Sequence, residues 1–247
     1  MNNLVANTIN EIQKLFFKKK TIAFLIAMVL ISFLSAFFIS SIQSKLVFIS
    51  LAAESFPLII LSSITNVFLP LFIFMSAAET FSGEVSERTI KLVLTRPINR
   101  LKVFISKNAA IAIYSALNLF VIMLTTLLAA FIFKFSVGNL LNIFLSYALD
   151  IVPALVVITF ASFMVQFFKS SSGALISCIL FFMLLRILAI FIKGVNSAIF
   201  TSYLNWYTQW SSGGVKVLAH INLLFMLIAY GIIFFTLGFY LFDKKEF

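Results

Sequence analysis

From Thr21 to Ser44 the chain runs without a charged residue, and the same is true from Pro57 to Ala78 and from Asn108 to Phe133. Apolar runs of about 20 residues are what a helix needs to cross a hydrocarbon layer about 30 Å thick, whereas a soluble core asks only for one apolar face. Three further runs, Leu140 to Phe168, Gly173 to Ile192 and Val217 to Phe242, carry no more than isolated ionisable residues. Six spanning helices are therefore expected. A chain that is 62% hydrophobic and 11% charged, with 32 Phe and a mean hydropathy of +1.14, lies outside the usage of soluble domains. The expected fold class is all-α, a polytopic membrane protein whose residues 1–247 form one transmembrane domain.

The formal charge of +10 would point to nucleic acid in a soluble protein. Here the cations sit at the ends of the apolar runs, where they orient helices and meet anionic lipid, so no nucleic-acid partner is expected. With the N-terminus inside, Lys14, Lys18, Lys19, Lys20, Arg88, Lys91, Arg96, Arg100, Lys102, Lys107, Lys169, Lys244 and Lys245 share one side, against Lys45, Lys134, Lys193 and Lys216 on the other. That bias predicts a multi-pass protein of the cell membrane with both termini cytoplasmic. Lys18 to Lys20 followed by an apolar run also resembles a signal peptide, but the run is too long and lacks a small-x-small cleavage site. It reads as an uncleaved first helix.

Two segments outside the spans carry helical periodicity. Val5, Ile9, Ile12 and Phe16 recur at helical spacing with Asn10, Glu11 and Lys14 between them, predicting an amphipathic interfacial helix within residues 1–20. Within 193–216, Phe200, Tyr203, Tyr207 and Trp210 predict an aromatic helical face, interfacial or re-entrant on the outer side, ended by Gly213 and Gly214.

The inner segment 79–107 is longer than a turn between spans requires. As a helix from Glu79 to Leu94 it would align Phe81, Val85, Thr89 and Leu92, and would pair Glu84 with Arg88 and Glu87 with Lys91 in the favourable acid-first order. Pro97 disfavours helix at Arg96, and Asn99 is placed to cap a following helix. Such a helix, break and second helix would present a rigid surface to a cytoplasmic partner.

The string from Ser82 through Glu84, Arg88, Thr89, Leu92, Arg96, Pro97 and Asn99 to Arg100, with Lys107 beyond, resembles the signature of the type-2 ABC transporter permease family. Arg88 stands where that family usually has glycine, and Asn99 where it has serine. The resemblance implies a coupling helix between the second and third spans that docks on a separate ATPase. Glu84, Arg88, Thr89, Leu92, Arg96 and Arg100 would form the contact. It also implies two cytoplasmic ABC ATPase subunits that hold ATP and Mg, and a second copy of this permease or a homologue. No phosphate-binding loop occurs in the chain, and no cofactor is expected in it. The function implied is export, of a peptide, antibiotic or lipid; the alternative is a secondary transporter or channel working without ATP.

Asp150 and Arg186 lie within spans at similar calculated depth, where an unpaired charge is costly, so they are expected either to pair or to line a path. Pro153 is expected to kink its helix. His220 and Cys178 each stand alone, without the further ligands a metal site or the relay a nucleophile would need, and no catalytic or metal site is expected.

Overall fold

The computed structural model describes residues 3–43, 55–89, 99–192, 196–211 and 217–245, and among these no strand occurs. Helix α1 (Asn3–Phe17) is followed after Lys18 by α2 (Lys19–Gln43). Then come α3 (Phe56–Ser86) and α4 (Arg100–Phe133), α5 (Leu140–Phe167) and α6 (Ser171–Phe191), the short α7 (Tyr207–Ser211), and α8 (Val217–Lys244). Six of these, α2 to α6 and α8, are long and apolar enough to cross a membrane.

Local sequence explains where the helices begin. Asn99, Asn139 and Ser170 each sit in extended backbone and accept a hydrogen bond from an amide of the following turn, capping α4, α5 and α6. The expected cap at Asn99 is present, and the helix it opens at Arg100 runs without a break into the third span. The second span runs on to Ser86 instead of ending near Ala78.

The helical ladder is interrupted where proline and close packing require it. In α3, a π-helical stretch at Ile64–Phe68 stands just before Pro70, which offers no amide hydrogen to the preceding turn. In α5, Asp150 takes turn geometry between the helical runs ending at Leu149 and starting at Ile151. This is the kink expected from Pro153, whose ring crowds the carbonyl four residues earlier.

The interior is aromatic. Phe72, Phe74, Phe81, Phe104 and Tyr114 are almost fully buried, and the Phe104 ring packs within 5.1–5.9 Å of Phe81, Phe235, Phe239 and Phe242. Helix α8 lies along α5, while α1 and α2 lie along α4. The α5–α8 approach is tight at Gly238, where an added Cβ would stand 3.1 Å from the Phe104 ring and 3.2 Å from the Phe163 backbone. Small residues at such crossings let two backbones meet without a side chain between them.

The flanking segments add detail to one expectation and correct another. In α1 the apolar stripe faces outward: Val5, Ile9 and Phe16 are exposed, whereas Asn7, Glu11 and Leu15 are buried. The polar face of this helix is its packed face. The aromatic segment is not one helix but a 3₁₀ turn, Phe200–Tyr203, and then α7. Phe200, Leu204, Trp206 and Tyr207 turn inward and Trp210 stays partly exposed, and the Tyr207 hydroxyl donates to the Leu58 carbonyl. Gly213 and Gly214 lie outside the described residues.

Candidate functional site

Where α3 ends and α4 begins, four charged side chains from three helices meet. Lys107 of α4 is completely buried, and its ammonium lies 2.6 Å from Glu84 of α3 and 3.0 Å from Glu11 of α1. Lys14, one turn beyond Glu11, closes the set with contacts of 2.9 Å to both carboxylates. Two acids and two bases sum to zero charge, which is the condition under which ionic groups tolerate removal from water.

The backbone of α3 is adapted to this node. Over Ala78–Gly83 the helix is π-helical, and the Glu84 amide bonds to the Phe81 carbonyl rather than to that of Thr80. The Thr80 carbonyl instead accepts the third hydrogen bond of the Lys107 ammonium, at 3.2 Å. The Phe81 ring centroid stands 5.9 Å from the same nitrogen. In a conventional turn the Thr80 carbonyl would be shared between the Glu84 amide and the lysine.

Neighbouring contacts brace the node. The Asn7 amide donates to the Ser106 hydroxyl, Lys18 and Lys20 both pair with Glu79, and the Ser82 hydroxyl donates to the Val165 carbonyl. Arg100 reaches the carbonyls of Asp243 and Lys245 at the end of α8, the position where a cation complements a helix C-terminus. Burial works against the charge of Lys14, but Glu11 and Glu84 outweigh it and hold its ammonium above the ordinary lysine range. A raised lysine contributes stability that is complete below its unfolded value, about 10.4, and is lost as the pH climbs through the folded value. Release of α1, followed by proteolysis near the N-terminus, should therefore set in on the alkaline side and not on mild acidification.

The expected helix from Glu79 to Leu94 is not formed. The helix stops at Ser86, residues 87–89 make a turn, and Arg88 takes φ 57°, in the left-handed region. Glu84 pairs with Lys14 and Lys107, not with Arg88, because two distant lysines reach it from inside the bundle. Thr89 is half-buried, its hydroxyl 3.4 Å from the Glu84 carbonyl. Leu92 and Arg96, with Lys91 and Pro97, lie outside the described residues. A side chain in left-handed backbone carries a cost that glycine avoids, so Arg88→Gly should stabilise the protein by about 1 kcal/mol, read as a rise in melting temperature in detergent.

Glu11 and Lys107 as members of one node with Glu84 were not foreseen, although the sequence carries a signal for each. Glu11 is the one acid among the first 53 residues, and Lys107 is the last charge before 26 uncharged residues.

Asp150 and Arg186 are not brought together. The Arg186 guanidinium reaches Asn66, bonding its carbonyl at 3.3 Å and its side-chain oxygen. Asp150 accepts from the Tyr207 amide at 3.5 Å through one oxygen, while the other is buried without a hydrogen-bond partner. Asp150→Asn retains that acceptor and nearly the same shape, so it should melt no lower than wild type. Asp150→Leu, which abandons the Tyr207 amide, should lose about 1 kcal/mol.

All-helical among its described residues, with six helices there long and apolar enough to cross a membrane, the chain has the makeup of a multi-pass membrane protein. It belongs to the DUF2705 family, described as proteins of unknown function, whose model matches residues 24–247. A search of the curated proteins finds no match to the chain.

Proposed function

We propose that this chain is the membrane-spanning permease subunit of an ATP-driven ABC exporter, coupled to a separate cytoplasmic ATPase that supplies ATP and Mg binding. The observation that carries the reading is the buried charge node at the root of the segment joining α3 to α4. Force applied to a connecting segment moves a helix bundle only if its root is stiff. Here Glu84, Lys107 and Glu11 tie the last turn of α3, the first turns of α4 and the middle of α1 together. In this reading the node marks the cytoplasmic end of the bundle, both termini are inside, and α1 lies at the inner interface with Val5, Ile9 and Phe16 toward lipid. Two copies, or one copy and a homologue, would pair to enclose the path, each driven by one ATPase.

The unpartnered oxygen of Asp150 favours one alternative, a transporter coupled to ions and working without ATP. Loop variants separate the two readings. Glu87 and Arg88 are exposed and stand outside the node, so Glu87→Lys with Arg88→Glu reverses surface charge without touching the buried pairs. The ATPase should then be lost from the purified protein while the chain remains monodisperse. Unchanged retention of the ATPase would remove the loop from the contact.

A further inference from the structure

Arg186 places a cation well inside a spanning segment. Its guanidinium bonds Asn66, which lies ten residues into α3 from the end remote from the node, about 15 Å at 1.5 Å per residue. No carboxylate among the described residues stands within ion-pair distance of it. A charge at such depth is costly to keep, and it marks the place where a charged ligand would be met.

The guanidinium is held without being used up. Pro70 offers no amide to the Asn66 carbonyl four residues earlier, and the arginine takes that carbonyl at 3.3 Å. The Asn66 side chain, fixed by its own donation to the Ser62 carbonyl at 2.7 Å, holds a second guanidinium nitrogen. The Phe182 ring centroid stands 5.6 Å from the guanidinium carbon. Two of the five guanidinium N–H groups are thereby engaged. The Nε–H has no partner among the described residues, and its nitrogen is not buried. With a remaining terminal N–H it forms a second fork, the shape that receives two oxygens of a carboxylate or phosphate. The surface around this fork is apolar: Met183 and Ile190, one turn to either side on the same face of α6, and Val67, next to Asn66, are all exposed. A ligand that suits both must carry an anion on an apolar body.

From this we infer that Arg186 is an intramembrane anion site, which receives the carboxylate or phosphate of a membrane-borne amphiphile. On the exporter reading the same site makes anionic amphiphiles the cargo class, and that extension alone rests on the proposed function. Binding requires a bilayer but neither nucleotide nor ATPase, so its failure and that of the exporter reading are told apart.

The test uses the full chain in phosphatidylcholine nanodiscs without nucleotide. An alkyl phosphate with a photoreactive diazirine beside its head is compared with the alcohol of the same chain, and labelled peptides are mapped in a digest that does not cut at arginine. A charge-assisted fork predicts labelling around Asn66 and Arg186 roughly tenfold stronger with the phosphate. Phosphatidylglycerol added to the discs should compete that labelling away, whereas inorganic phosphate, at the ionic strength of a chloride control, should not. Arg186→Lys should keep part of the preference and Arg186→Gln should bring the two probes to parity, with labelling of α2 by the alcohol unchanged in both. Equal labelling of wild type by the two probes would overturn the inference, as would displacement by inorganic phosphate or a preference that survives in Arg186→Gln. The wild-type comparison decides the matter even if a variant fails to fold.

Discussion

Lys107→Met should lower the stability of the protein by about 3–5 kcal/mol, the usual consequence of removing one partner from a buried ion pair. The substitution preserves most of the apolar stem but leaves Glu11 and Glu84 confronting each other with Lys14 alone between them. The net charge of the node falls from zero to −1. If charge balance is the cause, Lys107→Met with Glu84→Gln, which restores a net charge of zero with Glu11 and Lys14, should recover most of the loss. Thermal unfolding in detergent, followed by loss of the monodisperse peak, reads both variants. A single variant as stable as wild type, or a double variant worse than the single, would show that the node is not what joins α1, α3 and α4.

A similarly large effect is expected at Gly238 and none at Gly231, although both are glycines in the same helix. At Gly238 even a methyl group would stand 3.1–3.3 Å from the Phe104 ring and the Phe163 backbone, and a backbone cannot rotate away as a side chain can. Gly238→Ala should cost about 1–3 kcal/mol through overpacking, and Gly238→Leu should prevent α8 from seating on α5. Gly231→Ala meets open space and replaces a poor helix former by a good one, so it should be neutral or slightly stabilising. Comparing the melting temperatures of Gly231→Ala and Gly238→Ala isolates the helix crossing from helix propensity.

These two sites also mark the boundary of what the sequence makes legible. The spans follow from uncharged length, the α4 cap follows from Asn99, and the break in α5 follows from Pro153. Each depends on residues close together in the chain. The node depends on residues 23 and 96 positions apart, and a local rule assigned Glu84 to Arg88 because they are four apart on an assumed helix. That helix ends sooner, after a π-helical stretch that no composition signal announces. Glu11 stood in the sequence only as a polar residue between the apolar positions of an interfacial helix, a pattern that names no partner. In a hydrocarbon solvent the stripe turns outward and the polar face becomes the packed one. Asp150 and Arg186 failed to meet for a related reason: Pro70 disturbs the α3 ladder near Asn66, and a freed carbonyl serves an arginine as well as a carboxylate does.

Native mass measurement after gentle extraction of the chain from its own organism tests the proposed function most directly. The expected particle contains this chain, a second membrane subunit and two copies of a nucleotide-binding protein, and it loses the nucleotide-binding protein when Glu87 and Arg88 are reversed in charge. A particle containing only membrane chains, with transport undiminished in the absence of ATP, would contradict the assignment and leave the node as a structural anchor alone.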